Sequence, residues 1–152
     1  SAASDVYKRQ AGDIVVVTED CKFALTETTL GIPPAQIAPF VAQRIGLAKA
    51  RRIMLTAARF TGKEAFEMGL ADFIAKDAND LKNIESDIIK GVMNCAPGAN
   101  AITKEIVLAT RHLERSEMID FAAKGFAERM LSDEGREGIA SFIEKRKPKW
   151  SK

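Results

Sequence analysis

The sequence predicts an α/β fold that is mostly helical and has roughly two or three short strands. Near the start, residues 13–18 (DIVVVT) form a β-branched run that is long enough for one buried strand. From Ala35 onward, apolar residues recur mostly at helical spacing, which predicts about five or six helices. Because a strand or two cannot form a stable sheet, we expect the chain to be the back portion of a larger α/β fold.

Two further extended segments are expected. Residues 23–25 (FAL) can form a short strand. Gly31 and the pair Pro33 and Pro34 should end it, because proline lacks a backbone donor and restricts the residue before it. Residues 72–75 (DFIA) fit a last short strand.

The helices can be placed from capping signals and apolar stripes. Residues 61–64 (TGKE) match a capping box, which starts a helix that should end near Gly69, and Ser132 fits the N-cap of a final helix. The stripes between them predict apolar faces, with Cys95 in the core and the Met and Phe residues of 118–130 in the core or at a subunit interface. Their members are Leu81, Ile84, Ile88, Val92 and Cys95; Ile102, Ile106, Ala109 and Leu113; and Met118, Ala122, Phe126 and Met130.

The composition excludes several classes of protein. The 152 residues are 46% hydrophobic and 29% charged, which is typical of one soluble globular domain. The formal net charge of +2 directs the chain neither to nucleic acid nor to a membrane surface, and no apolar run is long enough to span a bilayer. Cys21 and Cys95 form no paired motif, which favours a reducing, cytoplasmic compartment, and the single His112 excludes a multi-histidine metal site.

The first ten residues do not match the rest of the chain. Residues 1–10 (SAASDVYKRQ) lack the apolar segment of a signal peptide. The piece DVYKRQ resembles the translation of a sequencing-library adapter. We expect a non-native leader and a missing natural N-terminus; a disordered native leader is the alternative.

Glu27 is the candidate for a catalytic acid or base. It is the only carboxylate in residues 23–36 (FALTETTLGIPPAQ), between apolar residues and a rigid proline turn. We expect Leu25, Leu30 and the proline turn to desolvate it partly, and a partly desolvated carboxylate on a rigid segment suits general acid–base catalysis. The alternative from the residues alone is a structural glutamate that caps the turn or pairs with an arginine such as Arg44.

Three blocks of the sequence resemble a known family. They are FALTETTLGIPP, RIGLAKARRIMLTAARFTGKEAFEMGLADFI and EGIASFIEKRKPKW, and in this order and spacing they look like the C-terminal half of the enoyl-CoA hydratase/isomerase (crotonase) family. The resemblance covers residues 12–150. It implies the C-terminal part of a crotonase-like ββα spiral over residues 11–98 and a helical trimerisation region over 99–152, within homotrimers that pair as hexamers.

The resemblance also implies a catalytic role for Glu27. It falls on the family's second catalytic glutamate, which in hydratases brackets a water together with a first glutamate while two backbone N–H groups hold the thioester oxyanion. In related isomerases, a glutamate at this position can move the proton alone. Because the first glutamate and the oxyanion donors belong to the family's N-terminal half, we expect this chain to be inactive by itself.

The resemblance further suggests a substrate. The version with Pro33-Pro34-Ala35-Gln36, in place of a glycine-rich turn, resembles hydratases of the isohexenylglutaconyl-CoA and methylglutaconyl-CoA type, which act in fatty acid or terpene catabolism. Gly31, Pro34 and Ala35 are the implied substrate-binding residues, in a stiff pocket for a branched acyl group. No metal or redox cofactor is implied, since CoA is part of the substrate.

The basic tail EKRKPKWSK allows three interpretations. It can be a solvated helix end, favoured because cations complement the helix dipole, or a nucleic-acid arm, which one short cluster does not favour. By resemblance, Phe142 and Lys145 match positions that contact CoA, often in a neighbouring subunit. A non-catalytic module that holds CoA or oligomerises remains a third hypothesis for the whole chain.

Overall fold

The structure is a computed structural model that describes residues 12–151. It divides into two compact units, of which the first ends at Ser86 and the second begins at Asp87. The predicted α/β class, mostly helical with short strands, is confirmed. The predicted leader lies outside the described residues, and the predicted domain boundary after residue 98 stays a prediction.

The elements alternate at first and then become wholly helical. The strands found in residues 12–151 are β1 (Val16–Thr18), β2 (Lys22–Ala24), β3 (Arg59–Thr61) and β4 (Phe73–Ala75). The α-helices of the same range are α1 (Ala38–Leu55), α2 (Gly62–Met68), α3 (Ala78–Met93), α4 (Pro97–Ala109), α5 (Arg115–Leu131) and α6 (Asp133–Ile143). A 3₁₀-helix, Glu27–Leu30, lies between β2 and α1.

The strands form two separate pairs. β1 runs parallel to β4, with Val17 opposite Ile74. β2 runs antiparallel to β3, with Phe23 opposite Phe60, and these two rings stack with centroids 5.3 Å apart. β3 was not predicted, because three residues with only Phe60 buried give too short an alternation to stand out beside the capping box that follows.

The core of the first unit lies between these strands and α1. α1 contributes a buried face that continues across a break at Gly46, whose φ of 78° is non-helical. The segment after this break is amphipathic: Ala50 and Ile53 are buried, whereas the basic residues Arg51 and Arg52 are exposed. The remaining core is Val15, Val17, Phe23, Leu25, Ile37, Val41, Ile45, Met54, Phe60, Ala65, Leu70 and Ala71.

The capping box at the start of α2 is confirmed. The Thr61 hydroxyl accepts from the backbone N–H of Glu64 at 3.3 Å, and the Glu64 carboxylate accepts from the N–H of Thr61 at 2.7 Å. This backbone hydrogen bond, with a second one from the Thr61 hydroxyl, lowers the pKa of Glu64 below its usual value. The helix ends, as predicted, at Gly69 in the left-handed conformation with φ of 85°.

In the second unit, α5 packs against both α4 and α6. Gly125 is buried on α5, and a Cβ there would come within 2.9 Å of Ile102 on α4, so the glycine permits their close approach. The predicted N-cap of α6 is confirmed, because the Ser132 hydroxyl accepts from the N–H of Gly135 at 3.1 Å.

One prediction about the core of this region is wrong, and another is narrowed to its interface alternative, which stays a prediction. Cys95 is exposed, although its stripe was predicted to be buried, and no residue of α3 is buried. Phe126 is 67% exposed, so this residue, predicted to lie in the core or at a subunit interface, does not belong to the core. Helical spacing identifies the apolar face of a helix but does not determine what covers it. No helix within residues 12–151 is long and apolar enough to span a membrane.

Candidate active site

Glu27 opens the 3₁₀-helix that follows β2. The strand brings Phe23 and Leu25 into the core, and the N–H of Leu25 donates to the carbonyl of Ala58 at 3.1 Å. The chain then leaves the core, so that Glu27 is half-buried and its Oε2 atom is buried. Glu27 therefore lies at the boundary between the core and solvent.

The predicted substrate-binding residues lie directly after Glu27 in one rigid turn. Gly31 ends the 3₁₀-helix in the left-handed conformation, with φ of 75°, and its N–H is directed at the carbonyls of Glu27 and Thr28. The carbonyl of Pro34 accepts from Ile37 at 3.2 Å and from Ala38 at 2.9 Å, which starts α1. The structure therefore places Glu27, Gly31, Pro34 and Ala35 on one short segment between β2 and α1.

Two interpretations of the surroundings of Glu27 need revision. Leu30 was expected to help desolvate the carboxylate, yet it is 75% exposed, whereas Leu25 is 2% exposed and lies in the core. Arg44, the alternative structural partner for Glu27, forms an ion pair with Asp72 at 3.1 Å. The 3₁₀-helix directs Leu30 outward because four residues at three per turn cannot bury side chains on every side.

Phe142 and Lys145, the predicted CoA contacts, meet in one turn at the end of α6. The N–H of Lys145 donates to the carbonyl of Phe142 at 3.3 Å, and the N–H of Arg146 donates to Ser141 at 3.0 Å. This is the hydrogen-bond pattern of a Schellman motif, in which Lys145 occupies the left-handed position with φ of 54°. Phe142 is 84% exposed and Lys145 is also exposed, so a ring and an ammonium share an open surface.

The basic tail is held against α6 within the second unit. Arg146 forms a two-pronged ion pair with Glu137, at 2.6 Å and 3.1 Å, and a further ion pair with Glu144. The hydrogen bond from Arg146 holds the pKa of the Glu137 carboxyl at about 2, and Glu137 in turn raises the pKa of Arg146. The tail is therefore more ordered than the predicted solvated helix end.

The first unit also has a surface cleft of about 640 Å³. Cations and carboxylates both line it, so it carries little net charge; the charged members are Lys49, Arg52, Arg59, Glu64 and Glu67. The ammonium of Lys49 is bound to the carbonyl of Met68 at 3.0 Å. Among residues 12–151, no three His, Cys, Asp or Glu side chains cluster as metal ligands would.

Comparison with known proteins gives the chain a family. The sequence profile described as enoyl-CoA hydratase/isomerase matches residues 9–152. The chain is 30% identical to the peroxisomal Delta(3,5)-Delta(2,4)-dienoyl-CoA isomerase of Arabidopsis thaliana, over 93% of this chain and 51% of that protein. It is also 30% identical to a probable enoyl-CoA hydratase of Bacillus subtilis, over 90% of this chain and 54% of that protein.

Solved structures agree with the sequence comparison. Pseudomonas aeruginosa AtuE superposes with a TM-score of 0.93 at 45% identity, covering 96% of this chain and 57% of that one. An enoyl-CoA hydratase/isomerase from Marinobacter aquaeolei gives a TM-score of 0.91 at 38% identity, covering 95% of this chain and 55% of that one. The chain thus spans about half the length of the relatives it matches, and it belongs to the enoyl-CoA hydratase/isomerase family.

Proposed function

We propose that this chain carries the Glu27 part of an enoyl-CoA hydratase that adds water across the α,β-double bond of an acyl-CoA. The observation that carries the proposal is the placement of Glu27 at the start of a rigid turn, half-buried, with one carboxylate oxygen buried. General acid–base catalysis requires a carboxylate that is fixed within hydrogen-bond reach of the proton it transfers. The fold fixes Glu27 through the strand before it and the proline turn after it.

The reaction assigns Glu27 one of two proton transfers. A water molecule loses a proton to a carboxylate as its oxygen bonds to Cβ, and a second carboxyl group delivers a proton to Cα. Glu27 performs one of these transfers, and a first glutamate performs the other. We place that first glutamate and the two oxyanion-binding N–H groups in the part of the relatives that this chain does not span. The chain alone is therefore expected to be inactive.

The substrate we favour is a branched, glutaconyl-type acyl-CoA. The support is the segment after Glu27, where Gly31 is followed by two prolines and the Pro34 carbonyl is bonded by two N–H groups. Such a turn is stiffer than a glycine-rich one, since proline fixes φ. A stiff wall formed by Pro34 and Ala35 can fit one bulky acyl shape closely, which suits a branched chain.

CoA itself is proposed to contact the end of α6. Phe142 offers an exposed ring for the adenine face, and the Lys145 ammonium offers a charge for the phosphates. No metal or redox cofactor is required, because CoA is part of the substrate. The exposed apolar residues of α5, which include Ile119 at 61% and Leu131 at 74%, support a homotrimer or hexamer.

An enoyl-CoA isomerase is the alternative enzyme. The relative from Arabidopsis thaliana is named as a dienoyl-CoA isomerase, so the family includes both reactions. In that case Glu27 moves a proton between two carbons without a partner carboxylate and without net addition of water. A non-catalytic module that binds CoA or oligomerises is the alternative from another class.

One experiment separates these functions. The chain is joined to the N-terminal portion of a relative and incubated with either a branched glutaconyl-type or a linear enoyl-CoA. The reaction is run in water labelled with a heavy isotope of oxygen, and the products are analysed by mass spectrometry. Incorporation of heavy oxygen at Cβ, lost in Glu27→Gln, supports the hydratase. A shifted double bond without heavy oxygen supports the isomerase instead. If the joined protein binds CoA but forms no product from either substrate, the result indicates the non-catalytic module.

A further inference from the structure

The turn that ends α6 is held in a conformation that its own residues do not favour. Lys145 has φ of 54°, in the left-handed region where glycine is the usual occupant. A side chain there is strained, and such strain persists only when the surrounding structure holds the backbone in place. The lysine also carries the charge that the proposed function needs, which makes the source of this restraint relevant to function.

The main restraint is Glu137, which lies on α6 itself, before the turn that ends the helix. Its two carboxylate oxygens accept from the two terminal nitrogens of Arg146, at 2.6 Å and 3.1 Å. This two-pronged geometry fixes the direction of the guanidinium as well as its distance. The Glu137 side chain is only 13% exposed, whereas that of Arg146 is 38% exposed, so the carboxylate is the shielded member of the pair.

The same carboxylate holds the chain beyond Arg146. The backbone N–H of Lys149 donates to Glu137 at 3.0 Å. The indole N–H of Trp150 then donates to the carbonyl of Asn94 at 3.2 Å, and its ring lies over Gly138, where a Cβ would come within 3.3 Å. Glu137 therefore binds the chain on both sides of residues 147 and 148.

We propose that Glu137 is a positioning residue for CoA binding, which acts through Arg146 to hold the Lys145 ammonium and the Phe142 ring in one fixed turn. The proposal rests on the proposed function, in which Phe142 and Lys145 contact CoA. When the turn is already fixed in the free chain, less conformational entropy is lost on binding CoA. Glu137 can therefore raise the affinity for CoA without contacting CoA itself. Glu137 is not itself a ligand contact, because its oxygens are directed at Arg146 and Lys149.

The test is a double-mutant cycle with free coenzyme A as the probe, measured by calorimetric titration of the 152-residue chain. The variants are Glu137→Gln, Lys145→Gly and the pair together. Glycine at 145 removes the ammonium but favours the left-handed turn, so this variant keeps the fold. Asp87→Asn, which breaks the exposed ion pair with Lys90 on α3, is the matched control.

We expect the effect of Glu137→Gln on CoA affinity to depend on which residue occupies position 145. Lys145→Gly weakens CoA binding about tenfold, as loss of a charge-assisted contact does, and Glu137→Gln weakens it by about three- to tenfold. In the Lys145→Gly background, Glu137→Gln costs less than about twofold, because the ammonium is gone and glycine adopts the left-handed turn that also places Phe142 without needing the restraint. Asp87→Asn leaves the affinity unchanged.

The only tryptophan of the chain reports the turn directly. Because Trp150 lies beyond Lys149, loosening of the tail by Glu137→Gln exposes the indole and moves its emission to longer wavelength. Should Glu137→Gln fail to fold, Arg146→Lys keeps the positive charge but loses the two-pronged geometry, and it is expected to weaken CoA binding similarly.

Two results overturn the proposal and differ from failure of the CoA contact. Equal losses from Glu137→Gln with and without Lys145 mean that Glu137 is merely structural. If Lys145→Gly lowers the affinity for CoA but Glu137→Gln does not, the turn keeps its conformation without Glu137. If neither the parent chain nor any variant binds CoA, the CoA contact of the proposed function fails and the positioning role with it, while the acid–base role of Glu27 is tested separately.

Discussion

The hydroxyl of Thr28 donates to the carbonyl of Met54 at 3.1 Å. Thr28 directly follows Glu27, and Met54 belongs to the last turn of α1, so this bond joins the candidate catalytic turn to the end of the helix that packs on the core. A second bond, from Leu25 to Ala58, joins the same two segments before Glu27. The carboxylate is therefore fixed from both sides by bonds to one region of the chain.

The bond from Thr28 should contribute to stability. Replacing Thr28 with valine keeps the shape but removes the donor, and we expect the free energy of unfolding to fall by about 1 kcal/mol. Thr29→Val is the matched control, because the hydroxyl of Thr29 is exposed and donates to Thr26 within its own turn. The control should change the free energy of unfolding by less than about 0.5 kcal/mol. Urea denaturation measures both, and equal losses would contradict the special role of Thr28.

Gly62 is a position where any side chain should disrupt the first unit. A Cβ there would lie 1.9 Å from the carbonyl oxygen of Thr18, which is backbone and cannot move aside. We expect Gly62→Ala to lower the free energy of unfolding by about 3 kcal/mol. Gly91→Ala on α3 meets nothing within 4 Å and should instead stabilise by roughly 0.5–1 kcal/mol. Thermal melts followed by circular dichroism measure both, and a neutral Gly62→Ala would refute the packing.

The ion pair of Glu137 should make the tail sensitive to acid. The hydrogen bond from Arg146 lowers the pKa of Glu137 from 4.5 to about 2 in the folded chain. Because the folded value is the lower one, the stabilisation is fully present above about pH 4.5 and is lost as the pH falls toward about 2. Glu137→Gln should therefore be less stable than the parent chain at neutral pH, and the difference should shrink on acidification.

Tryptophan emission during thermal melts at a series of pH values measures this dependence. Asp87→Asn serves as the control and should show the pH profile of the parent chain, since its ion pair is exposed. A difference between Glu137→Gln and the parent chain that stays constant down to about pH 3 would contradict the lowered pKa of Glu137 in the folded chain.

The parts of the fold that could be predicted from the sequence are those with local signals. The capping box at Thr61, the left-handed end at Gly69 and the N-cap Ser132 each depend on one turn of backbone, and each is confirmed. β3 was not predicted, because its strand character comes from pairing with β2, more than 30 residues earlier in the chain.

The site was predictable in its position and less so in its surroundings. The proline turn and Gly31 mark the segment, and the structure keeps them beside Glu27. The exposure of Leu30 was missed, because the apolar character of a residue does not determine whether a short 3₁₀-helix directs it toward the core or toward solvent. The ion pair of Glu137 with Arg146 was also missed, because helical ion pairs are recognised at spacings of three or four residues, and a spacing of nine across a helix end gives no such signal.

The central claim is that Glu27 is an acid–base catalyst, and the turnover of Glu27→Gln tests it most directly. The measurement is kcat and KM for hydration of an enoyl-CoA by the chain joined to the N-terminal portion of a relative, with Thr29→Val as the matched variant of the same turn. We predict that Glu27→Gln lowers kcat by about a thousandfold and changes KM by less than about threefold, because glutamine keeps the shape but cannot transfer the proton. A Glu27→Gln enzyme that retains the kcat of the parent would contradict the assignment.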